Sequence, residues 1–176
     1  MERYIPNTHI LWAEYRCHHC GEIPPDFYIA PKIINLKYMR LFQAHSRIRE
    51  KCGRPVGVSR GYSCTNHQLY IFLNKVVEKY GRTLSSEMIL RIINDPTMTP
   101  FSVHPFGLAL DLIPWGIDPE KEWKRYQEEL ERIRRAAQEI ESELRIGRSY
   151  ERHVHIDRGF EIDPRYSVSL REGARW

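Results

Sequence analysis

Phe101-Ser102-Val103-His104-Pro105-Phe106-Gly107-Leu108-Ala109-Leu110-Asp111 sets an imidazole and a carboxylate seven residues apart across a turn marked by Pro105 and Gly107. The carboxylate of Asp111 stands inside the apolar run Leu108 to Ile113. An unpaired carboxylate is so costly to bury that it is normally paired, protonated or bound to metal. Two readings follow: His104 and Asp111 hydrogen-bond to each other within a turn, or both point at a metal ion.

A second polar set, Arg152-His153-Val154-His155-Ile156-Asp157, alternates with apolar residues in the manner of a strand with one polar face. One of its histidines would complete a His, Asp, His site, and the presence of this matching cluster favours metal over a simple turn contact. Three protein ligands with a fourth position left to water is the layout of a catalytic zinc, whereas structural zinc is usually closed by four.

The pattern Ser102-x-His104-x-x-Gly107-x-Ala109-x-Asp111, followed by Val154-His155-Ile156-Asp157, resembles the zinc D-Ala-D-Ala carboxypeptidase and endolysin family, with the hedgehog signalling domain as a more distant likeness. The named positions agree at fixed spacing, and upstream matches extend the resemblance over about residues 27 to 160. It implies that His104, Asp111 and His155 are zinc ligands, that Ser102 lies on the substrate side, and that the fold is α+β, a small antiparallel sheet carrying the zinc and packed against helices. Ser59-Arg60-Gly61-Tyr62-Ser63 resembles the family's Ser-Gly-Tyr-Arg turn, whose arginine holds the substrate carboxylate, and Ile146-Gly147-Arg148-Ser149-Tyr150 resembles its lead-in to the last metal strand. Ser63 stands where the arginine is expected. Serine lacks the two-pronged contact that a guanidinium offers a carboxylate, so either Arg60 reaches in from a shifted position or the substrate has no carboxylate there.

At 176 residues, 41% hydrophobic and 28% charged, the composition is that of a single globular domain over 1–176. No apolar run is long enough to span a bilayer, and Met1 to Arg16 lacks a basic start followed by an apolar stretch, so the reading is cytoplasmic synthesis without a signal peptide. A net charge of +4 gives mild attraction to polyanions, which suits an anionic cell wall; the basic residues are scattered among acids, which argues against nucleic acid.

Along the chain, 1–31 holds Pro6, Pro24, Pro25 and Pro31 with little periodicity and reads as an irregular surface wrap. It contains Cys17-His18-His19-Cys20, half of a zinc knuckle that Cys52 and Cys64 would have to complete; the competing reading is four reduced cysteines with packing roles. Helical spacing is expected over 33–51, from Asn66 to Tyr80, and around 85–93, with a short strand at Val56 to Val58. Asp118-Pro119 is a good helix start, and Trp123, Tyr126, Leu130, Ile133, Ala137, Ile140 and Leu144 continue one apolar stripe, which predicts a helix over 119–145, roughly 40 Å long.

The expected activity is hydrolysis of a peptide bond in bacterial peptidoglycan stem peptide, of the D,D-carboxypeptidase or L-Ala-D-Glu endopeptidase type, in the setting of a phage endolysin that reaches the wall after release. The alternative is a zinc-stabilised binding or phage structural domain without turnover, which the loss of the arginine at Ser63 keeps open. Family members place a glutamate three residues before the last histidine ligand, where this chain has Arg152; Glu151, His153 and Asp157 are therefore the candidates for the base, with Asp157 and Glu151 preferred. Asp157 has a second reading, as the partner that orients a ligating histidine.

Overall fold

The computed structural model describes residues 3–80, 85, 87, 102–147 and 150–162. It has the expected α+β class. Four strands form one antiparallel sheet: β3 (Val56–Arg60), β4 (Ala109–Pro114), β5 (Arg145–Gly147) and β6 (Val154–Asp157), in the order β3-β4-β6-β5. Two short strands, β1 (Tyr28–Ala30) and β2 (Ile33–Ile34), make a separate hairpin. No helix among the described residues is long and apolar enough to cross a membrane.

β4 is flanked on both sides by strands and is buried on both faces, which is why its sequence reads as a continuous apolar run and not as an alternation. Leu110 and Leu112 pair with Ile156 and Val154 of β6. All four are fully buried on the face that α4 (Trp123–Gln138) crosses. Helix α2 (Leu36–Cys52) packs against α4 and presents Tyr38, Leu41, Phe42, His45 and Ile48 inward. Its start is set by the Asn35 side chain, which accepts from the Lys37 N–H, and its end by Gly53 at φ +65°, a left-handed position that glycine adopts without strain.

Three expectations need correction. Residues 1–31 are more than a surface wrap: Ile5, Ile10, Tyr15 and Phe27 are fully buried, and α1 (Trp12–Tyr15) lies against β3. Ile33 and Ile34 pair with the Tyr28–Ala30 strand, and the helix begins only at Leu36. The long helix over 119–145 is shorter at both ends. Lys121 and Glu122 donate to the Asp118 carbonyl in a separate turn, and after Gln138 the Ile140 and Glu143 amides close tight three-residue turns. These turns reverse the chain so that Arg145–Gly147 can join the sheet edge. Ile140 and Leu144 stay buried through them, so the apolar spacing outlasts the helix. α3 (Thr65–Tyr80) agrees with the expected helix, whereas the one around 85–93 falls largely outside the described residues.

Candidate metal centre

Strand register assembles the centre. Asp111 on β4 pairs with Arg60 on β3 and with His155 on β6, and His155 pairs with Gly147 on β5. Cross-strand partners share a face and lie close enough for their side chains to meet. The position of Arg60 depends on a bulge: Val58 pairs with Leu112, yet Arg60, not Ser59, pairs with Asp111. In regular register Arg60 would face the other side of the sheet; the extra residue turns it onto the face of Asp111. There its Nε donates to Asp111 Oδ2 at 2.8 Å, while the Ser59 hydroxyl donates to the Asp111 carbonyl.

His104 arrives from outside the sheet, on the 3-10 turn His104–Phe106. Gly107 closes this turn at φ +68°, and a Cβ there would lie 2.4 Å from Pro24 and 2.6 Å from the Tyr15 hydroxyl, so the position excludes a side chain on two counts. The Tyr15 hydroxyl donates to the Gly107 carbonyl, Ser102 Oγ accepts from the His104 amide, and the Ser63 amide donates to the His104 carbonyl. The buried N-terminal segment thus props the turn that carries His104.

His104, Asp111 and His155 offer three ligand atoms within 4.8 Å of one another. His104 is buried, and burial lowers its pKa, so the ring is neutral. Its Nδ1 lies 2.6 Å from the Gly61 carbonyl and donates to it, which leaves Nε2 as the lone-pair nitrogen. Nε2 has no hydrogen-bond partner although it is 3.3 Å from Asp111 Oδ1. A buried acceptor nitrogen beside a carboxylate oxygen, with nothing between them to share, is what a cation would satisfy. The residues therefore fit a metal ion.

His155 lies between two carboxylates, with Nδ1 2.8 Å from Asp111 Oδ1 and Nε2 3.2 Å from Asp157 Oδ2. Burial opposes its charge, but the hydrogen bonds to Asp111 and Asp157 prevail and raise it to about 9. Burial likewise opposes ionisation of Asp111, yet His104 in its protonated form and His155 hold it well below the usual carboxylate range. Without metal, a proton on His155 Nδ1 does the work that a cation would do between the ring and Asp111.

Asp157 sits behind His155, buried, with Oδ1 accepting from Arg145 Nε at 2.7 Å and from the Gly159 amide at 2.7 Å. Its place is that of a partner that fixes the orientation of the His155 ring. Glu151 lies in a bend ahead of β6, not in the strand: Gln127 holds its carbonyl, Tyr126 holds that of Arg152, and its side chain is exposed. The strand expected over Arg152 to Asp157 thus begins only at Val154. His153 stays at the centre, its Nε2 3.5 Å from Asp111 Oδ1 and without a hydrogen-bond partner, and burial lowers it to about 4. Tyr150 stacks on it at 4.3 Å and reaches over His155 at 5.7 Å. Gly147 makes room for this ring, since a Cβ there would meet Tyr150 at 2.7 Å and His155 at 3.0 Å.

Arg145 escaped the sequence reading, and Tyr150 entered it only as part of the lead-in to the last strand. Arg145 had a signal, because a charged residue between Leu144 and Ile146 calls for a buried partner as Asp111 does. Ser63, where the family's arginine was expected, is wholly buried. A second group, Cys17, Cys20 and Cys64, also brings three ligand atoms within 4.8 Å of one another. Cys52 is not part of it; it lies at the end of α2, with Glu129 and Arg132 of α4 acting on its thiol. All four cysteines are free thiols.

Comparison of the chain with protein-family models, with curated proteins and with solved structures found no match.

Proposed function

We propose that the chain is a zinc-dependent peptidase acting on bacterial cell-wall peptide, of the D,D-carboxypeptidase or L-Ala-D-Glu endopeptidase type. The observation that carries this reading is the convergence of His104 Nε2, Asp111 Oδ1 and His155 Nδ1 on one spot, with the buried Nε2 unpartnered. Three ligands of this kind suit zinc with one coordination position left open. Bound there, zinc would supply Lewis acidity, polarising a scissile carbonyl and making water nucleophilic near neutral pH.

The chain's own residues supply the rest. Gly61 and Asp157 hold the two histidine rings by the nitrogens that face away from Asp111. Arg60 steadies Asp111 through Nε, and the rest of its guanidinium is the group at the centre suited to a substrate carboxylate. This replaces the arginine missing at Ser63. Proton transfer falls to His153 and not to Asp157 or Glu151, because its unengaged Nε2 already faces the centre. Tyr150 forms an aromatic wall beside both histidines.

The test is incubation of the purified chain with cell-wall sacculi, with and without chelator, followed by mass spectrometry of released fragments. Fragments that appear only with metal, and whose new termini lie in the stem peptide, are the expected result. Sacculi left intact by a fully metallated chain would favour the second reading, a non-catalytic zinc-stabilised binding domain, which the serine at 63 supports.

A further inference from the structure

We propose that Cys17, Cys20, Cys64 and His67 form a second, closed zinc site that staples the N-terminal segment to the first turn of α3. This site is independent of the proposed peptidase activity. The three sulfurs lie within 4.8 Å of one another, and His67 Nδ1 is 3.6 Å from Cys17 Sγ. A tetrahedral zinc with bonds of ~2.3 Å to sulfur and ~2.05 Å to nitrogen has ligand-to-ligand edges of roughly 3.6 to 3.8 Å. The Cys17 to His67 contact already has that length.

The surroundings of Cys17 and Cys64 suit thiolates. The Cys64 amide donates to Cys17 Sγ at 3.3 Å and the His67 amide donates to Cys64 Sγ at 3.4 Å. Such N–H groups stabilise negative sulfur, and they come from the backbone that the site would hold. The sequence has matching halves, Cys17-x-x-Cys20 and Cys64-x-x-His67, a pairing hidden when the fourth ligand is sought only among cysteines.

His19 competes for the fourth position, with Nδ1 3.8 Å from Cys64 Sγ and its ring stacked on His67. His67 is favoured because it is half-buried and rooted in the helix, whereas His19 is exposed in the turn between the two N-terminal cysteines. Four protein ligands leave no open position, which makes the role structural. The stapled segment continues directly into the groups that hold the other centre. The Tyr62 amide donates to the Tyr15 carbonyl, the Ser63 amide to the His104 carbonyl, and the Gly61 carbonyl accepts from His104 Nδ1. The second zinc would thus hold the backbone that orients His104.

The test is zinc per chain, measured by elemental mass spectrometry on the full-length protein and its variants, with cobalt substitution to report thiolate ligation. Wild type should bind two zincs and, with cobalt, show thiolate charge-transfer absorption. Cys20→Ser, at an exposed position, should fold, bind one zinc and lose most of that absorption; Cys64→Ser and His67→Ala should also bind one. His104→Ala should lose the other zinc and keep the thiolate signal, and Cys52→Ser should change neither. A wild-type chain with one zinc that Cys20→Ser and Cys64→Ser leave in place would overturn the proposal, as would a Cys17 to Cys20 disulfide without metal. Loss of the thiolate-bound zinc in His19→Ala but not in His67→Ala would overturn the assignment of the fourth ligand.

Discussion

Replacing Asp157 by asparagine separates a base from a clamp. The carboxylate is buried, and Arg145, itself buried, directs Nε and a terminal nitrogen at Oδ1 from 2.7 and 2.6 Å. Removing one charge of such a pair leaves the other uncompensated, at a cost of about 3–5 kcal/mol. Asparagine still offers one oxygen, so the lower end, about 3 kcal/mol, is expected, and at this chain length it corresponds to a fall in Tm of roughly 6–12 °C. His155 Nε2 also loses its charged acceptor, and loss of such a partner typically weakens metal binding about 10- to 100-fold. Urea unfolding of the metal-free protein and a zinc competition titration measure the two effects. An Asp157→Asn variant as stable as wild type to within about 1 kcal/mol, with unchanged zinc affinity and no turnover, would refute the clamp and restore Asp157 as the base.

His153→Gln should keep full zinc and lose turnover by about 10²- to 10⁴-fold, the usual share of a general acid or base; normal kcat with zinc retained would remove His153 from the mechanism. Arg60→Ala should lower kcat/KM by roughly tenfold to hundredfold, mostly through KM, and lysine should not rescue it because the two-pronged contact is lost; wild-type kinetics in the alanine variant would refute this role. His45 gives a pH dependence away from the centre. Burial brings it down to about 4, and it contacts the Val56 carbonyl at 3.2 Å. The unfolded chain takes up a proton near pH 6.5 and the folded one does not, so stability falls as pH drops from about 6.5 towards 4, by up to about 3 kcal/mol. His45→Gln should flatten that part of the stability curve, and parallel curves for variant and wild type would contradict the assignment.

The centre was partly legible because each candidate residue sits in a pattern that restricts what its side chain can do. Asp111 within Leu108 to Ile113 demanded a partner, and period-two alternation over His153 to Asp157 put His155 and Asp157 on one face. What escaped depends on pairing between strands. The bulge at Ser59 that turns Arg60 onto Asp111 leaves no local trace, and the Arg145 to Asp157 register follows only once β5 and β6 are neighbours. The α4 boundaries were misread because Ile140 and Leu144 keep helical spacing through tight turns that bury them equally well. His67 was visible all along, three residues after Cys64.

The most direct test of the centre is a crystal of the zinc-loaded protein, with anomalous scattering recorded on either side of the zinc edge. The expected result is a peak bound by His104 Nε2, Asp111 Oδ1 and His155 Nδ1, with solvent as the remaining ligand. A peak whose fourth position is closed by His153, or no peak at these residues, would contradict it.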